Sequence, residues 1–226
     1  MKKLDLVTLI APRLEFYYLE EWVNHYLSLG FDNIYIYNNG FNLCLTDAEK
    51  SKNKQYGDYS FQEFTEEQIN NSIDKISASY DKVEIIPWEY ETDHMHKYPR
   101  SQFRSIMNYC EFSDADFMCF LDLDEFMICK TKIKDFLSDK NFDSCKIYQY
   151  EQQTRKRRKI KNIPITKENY TKKFGKNISR VDSLKSLIKK QGKLKGWSHH
   201  FGFRSEDFKN IIETQEIYYN HYMLED

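Results

Sequence analysis

The chain is expected to be an α/β protein with a mostly parallel central sheet flanked by helices. A strand, an amphipathic helix and a second strand fill its opening, the usual unit of a parallel sheet. Strand-like and helical stretches then keep alternating. One apolar strand at mid-chain, FMCFLDLDEFM, runs straight into three carboxylates, Asp122, Asp124 and Glu125.

With 226 residues the chain fits a single domain spanning residues 1–226, with residues 42–80 and 151–180 as loop or edge elaborations. The 40% hydrophobic and 16% aromatic content argues for a packed core and against disorder, despite 31% charged residues. No stretch reaches the roughly 18 apolar residues of a membrane span, and MKKLDLVTLIAPRLE is too short an apolar run for a secretory signal. A cytoplasmic location is expected. The five cysteines show no CxxC spacing and read as buried thiols of a reducing compartment. Net charge is −1, but residues 151–196 carry 16 Lys and Arg against 3 Asp and Glu, so +13 sits there and −14 elsewhere.

LDLVTLIA reads as the first strand, closed by Pro12. In the next stretch Leu19, Trp22, Val23, Tyr26 and Leu27 recur at helical spacing and Gly30 supplies the stop. NIYIYNNG is a strand running into a turn. After the polar residues that follow, Thr65 and Gln68 have capping-box spacing ahead of a helix. KVEIIPW is a third strand, PRSQFRSIMNYCEFS a helix with Pro99 in its first turn, and DFMCFLDLDEF a fourth strand. IKDFLSD makes a short helix, SCKIYQYE a fifth strand and NIIETQEIYYNHYM a last one. The basic segment is poorly periodic until SRVDSLKSLIKK.

In an extended strand Asp122 and Asp124 share a face while Leu123 turns into the core. In a parallel α/β sheet that point is where ligands bind. Two adjacent carboxylates repel unless a cation lies between them, and hard oxygen ligands suit Mn²⁺ or Mg²⁺. A diphosphate is the natural third party. A solvated acidic turn is the plainer alternative.

APRLEFYYLEEWVNHYLSLGFDNIYIYNN, FLDLDEFM and NHY resemble the glycosyltransferases of the family 2/family 92-like group, which have a GT-A nucleotide-sugar fold. The resemblance implies that Asp122 and Asp124 hold the metal and the donor diphosphate, Asp122 nearer the ribose. It places Glu15, Asn38, Asn39, Gln102 and Asn108 toward the donor and makes His221 the late metal ligand. Arg13-Leu14-Glu15 stands where Lys-Asn-Glu is usual, so only the Glu carries over. Met-Leu-Glu-Asp stands where a Lys-Ser pair is common, so a phosphate-gripping lysine is missing or comes from the basic segment. The implied activity is metal-dependent, inverting sugar transfer from a nucleotide-diphosphate sugar, UDP-linked by preference, to a glycan or lipid-linked acceptor. The implied setting is synthesis of bacterial surface polysaccharide or lipooligosaccharide.

Chemistry of the residues adds candidates. Neutral histidine is a reasonable third ligand, and His200, beside His199, competes with His221. Inverting displacement needs a carboxylate base. Asp182 and Glu151 lie downstream of the metal motif, and Glu125 either orients Asp124 or the acceptor or is an exposed strand-end residue. RKRRKIK at residues 155–161 lacks interleaved aromatics and reads either as a solvated loop or as an anion-binding segment, for which a lipid-diphosphate acceptor or the inner membrane leaflet fits better than nucleic acid. Two other readings stand beside transfer of sugar. One is a haloacid-dehalogenase-type phosphotransferase built on the DxD strand, and the other a non-catalytic membrane-surface module.

Overall fold

The computed structural model describes residues 2–10, 12–40, 65–88, 98–152, 178–189, 196–198, 202–204 and 208–221. Strand β1 (Leu4–Ile10) leads into helix α1 (Pro12–Leu29), and β2 (Asn33–Asn38) returns beside it in parallel register, Asp5 opposite Asn33 and Ile10 opposite Asn38. Gly30, at φ 98°, ends α1, with the Phe31 N–H donating to the Tyr26 carbonyl. Helix α2 (Glu66–Ser79) starts at the expected capping box: the Thr65 hydroxyl accepts from Gln68 N–H, and the Gln68 side chain accepts from Thr65 N–H. Strand β3 (Val83–Pro87) joins β2 in parallel, helix α3 (Tyr98–Phe112) follows, and β4 (Phe117–Phe120) completes a parallel block of order β3-β2-β1-β4.

Beyond β4 the sheet becomes mixed. Strand β5 (Glu125–Cys129), helix α4 (Ile133–Asp139), β6 (Ser144–Gln152), β7 (Ile178–Lys189) and β10 (Ile211–His221) extend the order to β3-β2-β1-β4-β7-β6-β10-β5. Two short strands, β8 (Gly196–Ser198) and β9 (Gly202–Arg204), pair separately. This is the expected α/β class, and four of the seven neighbouring pairs in the large sheet are parallel.

Alternation along β1 feeds two cores. Leu4, Leu6 and Ile10 pack with Leu19, Trp22, Val23 and Tyr26 of α1 and with buried side chains of α2 and α4. Val7 and Leu9 face the other way, toward Ile106 and Tyr109 of α3, Met118 and Phe120. Helices therefore cover both faces, as a parallel sheet requires. At the amino end of β1, buried Asp5 accepts from Asn33 Nδ2 and the Tyr109 hydroxyl, both at 2.9 Å, and burial raises its carboxyl pKa.

The fourth strand departs from expectation. It stops at Phe120; residues 121–124 form a turn, and a separate strand, β5, begins at Glu125. From Phe120 to Glu125 two extended residues and a turn reach at most about 14 Å, yet β4 and β5 stand four strand positions apart, about 19 Å in a flat sheet. The sheet must therefore curl. Register shifts in β6 against β7, between Tyr148 and Gln149, and in β10 against β6, between Thr214 and Tyr218, supply the bend.

Candidate active site

The turn that carries the aspartates is held from beneath by helix α1. Trp22 Nε1 donates to the carbonyls of Asp122 at 3.1 Å and Glu125 at 3.2 Å. Four residues on, one helical turn later, the Tyr26 hydroxyl donates to the Glu125 carbonyl at 2.8 Å and accepts from Met127 N–H at 2.9 Å. His25 Nε2 lies 2.8 Å from the Met127 carbonyl. Trp22 and Tyr26 are fully buried. Their apolar spacing was legible in the sequence; the use of their polar tips was not.

Glu125 is buried, contrary to the exposed strand-end alternative. Its Oε2 accepts from Asp122 N–H at 2.8 Å, and its own N–H donates to the Asp122 carbonyl at 3.1 Å. The carboxylate therefore shapes the turn by holding the Asp122 backbone. Leu123 points into the core as expected, although a turn and not strand alternation places it there.

Asp122 and Asp124 are both half-buried, and each carboxylate has its own partner. Gln102 Nε2, on α3, donates to Asp122 Oδ1 at 3.2 Å. His221, the last residue of β10, places Nε2 3.0 Å from Asp124 Oδ2. Backbone register explains that meeting, since His221 pairs with Glu125 of β5 on one side and with Glu151 of β6 on the other. Burial lowers the His221 pKa, but the hydrogen bond and charge of Asp124, followed by the charges of Glu125 and Asp122, outweigh it and raise the value to about 9. Behind the ring, Gln149 Nε2 lies 3.0 Å from His221 Nδ1.

The expected donor-side residues separate into two groups. Asn39 and Gln102 are buried at the carboxyl end of the parallel block, where Ser101 Oγ donates to Asn39 Oδ1 at 3.2 Å. Asn39 Nδ2 and Gln102 Oε1 have no hydrogen-bond partner among the described residues. Asn38 instead closes its own turn: its Oδ1 accepts from Gly40 N–H at 3.0 Å, with Gly40 at φ 80°. Asn108 lies six residues beyond Gln102, about 9 Å further along the helix, and accepts from the Tyr37 hydroxyl at 2.8 Å. The structure thus puts it away from the aspartate turn.

Glu15 is in α1, Glu151 in β6, and Asp182 in β7 between the register positions Val181 and Leu184. The side chains of these three are outside the described residues, as are His199, His200, residues 41–64 and 153–177, and Cys44. Cys119 and Cys145 are buried, as expected, whereas Cys110 and Cys129 are only partly buried. Among the described residues no three His, Cys, Asp or Glu side chains are grouped to hold a metal ion. No helix among them is long and apolar enough to cross a membrane.

A parallel α/β block with helices on both faces bears two aspartates at its carboxyl edge, the place where open α/β sheets bind ligands. No family model matches the chain, and no curated protein matches it. Among solved structures it is similar to S. aureus TarS 1-349, at 13% identity over 68% of this chain and 37% of that one, with a TM-score of 0.40. It is also similar to HddC from Yersinia pseudotuberculosis, at 14% identity over 95% of this chain and 92% of that one, with a TM-score of 0.45. S. aureus TarS 1-349 in complex with UDP matches at 13% identity over 73% of this chain and 38% of that one, TM-score 0.38. The chain spans less than two thirds of the TarS length.

Proposed function

We propose that the protein is a metal-dependent glycosyltransferase that moves a sugar from a nucleotide-diphosphate sugar to a glycan or lipid-linked acceptor. The observation that carries this reading is the clamped Asp122–Glu125 turn, whose Asp124 meets His221 from a different strand. Asp122, Asp124 and His221 supply oxygen and nitrogen donors of the types Mn²⁺ takes, or Mg²⁺ with more water in its shell, although the described residues do not group them as a formed metal site. The same carboxylates hold a proton on His221 to high pH, which is the signature of excess negative charge. A divalent ion bound there supplies positive charge to the diphosphate as the sugar leaves.

The chain's own groups divide the remaining work. Trp22, Tyr26 and Glu125 fix the turn, and Gln102 orients Asp122. Asn39 Nδ2 and Gln102 Oε1, which have no partner among the described residues, support a polar ligand at this corner, since a buried polar atom left unpaired costs about 1–3 kcal/mol. For the general base we propose Asp182 or Glu151, by their place downstream of the metal motif. Inverting stereochemistry, a UDP-linked donor, peripheral contact with the inner membrane through the basic segment and a role in surface polysaccharide synthesis belong to the same proposal. They rest on the sequence resemblance and on charge.

A thermal-shift screen of nucleoside diphosphates and their sugars, with and without Mn²⁺, tests it. A ligand at about 100 times its Kd stabilises the folded state by about 2.7 kcal/mol. Stabilisation by UDP or GDP that requires Mn²⁺ supports the reading, and no shift across the panel with the protein folded overturns it.

Metal binding should also depend on pH. His221 ligates only after losing the proton it holds to about pH 9. Mn²⁺ affinity should therefore climb by up to about tenfold per pH unit from near neutrality and level off above about pH 9. In the metal-free protein the sign reverses. The raised pKa contributes stability that is fully present below the ordinary value of 6.5 and is lost as pH rises through about 9. Calorimetric titration across that range checks the first trend; a flat profile removes His221 from the ligand set.

A further inference from the structure

Strand β6 alternates without a break. Cys145 and Ile147 join the core beneath α1, and Gln149 is buried with them, so Lys146, Tyr148 and Tyr150 point to the opposite side. That is the side of α3: Ile188 of β7 pairs with both Met118 of β4 and Ser144 of β6, and packs in the core that α3 covers. Tyr218 of β10 pairs with Tyr148 and stands nearly edge-on to Tyr150, with ring centroids 5.0 Å apart and planes at 71°. All three tyrosines are half-buried and belong to neither core. Glu213 closes one end of the row, accepting from the Tyr148 hydroxyl and pairing with Lys146 at 3.4 Å. The other end leads to the aspartates. Tyr150 pairs with Asn220 one residue before Glu151 and His221, and His221 meets Asp124. Gln102, which reaches Asp122, is carried by the helix on this same side of the sheet.

We propose that Tyr148, Tyr150 and Tyr218 form a platform that holds a saccharide beside the aspartate turn; its role as acceptor rests on the glycosyltransferase reading above. A pyranose presents C–H groups on the faces of its ring and hydroxyls around the rim. Tyrosine matches both, with an apolar ring face and a polar tip. The corner between Tyr150 and Tyr218 offers one ring as a floor and the other as a wall. A protein partner needs more surface than the row has. A buried aromatic covers about 150–250 Å², so three half-buried tyrosines have about 225–375 Å² left to give, against about 800 Å² per partner in a standard protein interface. An acyl chain laid along the row would take the Lys146–Glu213 pair out of water, whereas sugar hydroxyls can hydrogen-bond to both charges.

The test is saturation-transfer nuclear magnetic resonance on the whole chain with four disaccharides: maltose, lactose, mannobiose and N,N′-diacetylchitobiose. It compares wild type with Tyr150→Ala, Tyr218→Ala and Tyr150→Phe, each checked for folding by its melt. At least one disaccharide should bind the wild type. Its affinity should fall by about tenfold in Tyr150→Ala and in Tyr218→Ala, and stay within about threefold in Tyr150→Phe, which keeps the ring face. Where an alanine variant does not fold, Tyr150→Leu replaces it and should show the same loss. No binding of any disaccharide to the wild type, or wild-type affinity in the folded alanine or leucine variants, overturns the platform. The thermal shift by UDP with Mn²⁺, measured on the same proteins, separates this from the reading it rests on. A donor shift that survives in the tyrosine variants supports a saccharide place apart from the donor. A donor shift lost with the rings overturns that place. Saccharide binding that depends on the rings, in a wild type with no donor shift, leaves the platform standing and removes the transferase reading alone.

Discussion

Asp124→Asn should abolish Mn²⁺-dependent stabilisation by a nucleoside diphosphate while leaving the fold intact. The side chain is 31% exposed and is partnered by His221 Nε2, a contact that an asparagine oxygen can also accept from the ring. Packing is unchanged, so any loss of melting temperature should be small. The charge is not replaceable. A neutral amide in place of a ligating carboxylate should weaken Mn²⁺ binding by more than about 100-fold, beyond the range seen when only supporting groups around a metal are lost. An internal control follows from the electrostatics. Asp124 supplies the largest contribution raising the His221 pKa, so in Asp124→Asn that pKa should fall from about 9 toward its ordinary value. Nuclear magnetic resonance titration of the ring reads this directly. A fallen His221 pKa with unchanged metal-dependent donor binding would show that the contact is real and that the ligand role is not.

The second large effect lies one layer beneath. Trp22→Ala should cost about 3–5 kcal/mol, the range for emptying a fully buried aromatic site, a serious fraction of the roughly 5–15 kcal/mol that holds a domain together. Urea unfolding measures it. Trp22→Phe separates packing from the hydrogen bonds. It removes only the indole N–H, and each carbonyl that the indole served keeps another donor, Glu125 N–H for Asp122 and the Tyr26 hydroxyl for Glu125. Its stability should fall by about 1–2 kcal/mol. Donor and metal affinity should fall at least tenfold, since the turn that presents both aspartates is no longer pinned. A folded Trp22→Phe with wild-type affinity would reduce the helix-to-turn clamp to a packing feature.

These two experiments probe an arrangement that was only half visible in the sequence. The opening strand–helix–strand unit, the Thr65 capping box, Gly30 as the helix stop and Pro99 in a first turn were all legible, because each depends on residues within a few positions of one another. The DxD pair was legible for the same reason, as was the inward turn of Leu123. The break after Phe120 was not. FMCFLDLDEFM has the composition of one continuous strand, and what divides it is the Glu125 carboxylate folding back onto Asp122 N–H, together with Trp22 and Tyr26 from a helix about 100 residues earlier.

His221 was picked out by resemblance, yet nothing local says which carboxylate it would meet. That pairing comes from the antiparallel register of β10 on β5, which puts His221 opposite Glu125 and beside Asp124. Gln149 carried no signal at all, being one polar residue in a strand whose bulge cannot be read from periodicity. Asn108 was placed toward the donor by resemblance alone; six residues of rise separate it from Gln102, and its side chain accepts from the Tyr37 hydroxyl.

By itself, then, the sequence determined the α/β class, the order of the parallel block's elements and the presence of a carboxylate pair at a strand's end. Those follow from periodicity, caps and turn residues, which act over one or two turns of chain. Only the tertiary structure decided that the pair sits on a clamped turn, that Glu125 is buried beneath it, and that His221 and Gln149 stand in line behind Asp124. The physical reason is that these contacts join residues 20 to about 100 positions apart. Their geometry is fixed by a sheet that must curl because the link between β4 and β5 is too short to cross it flat.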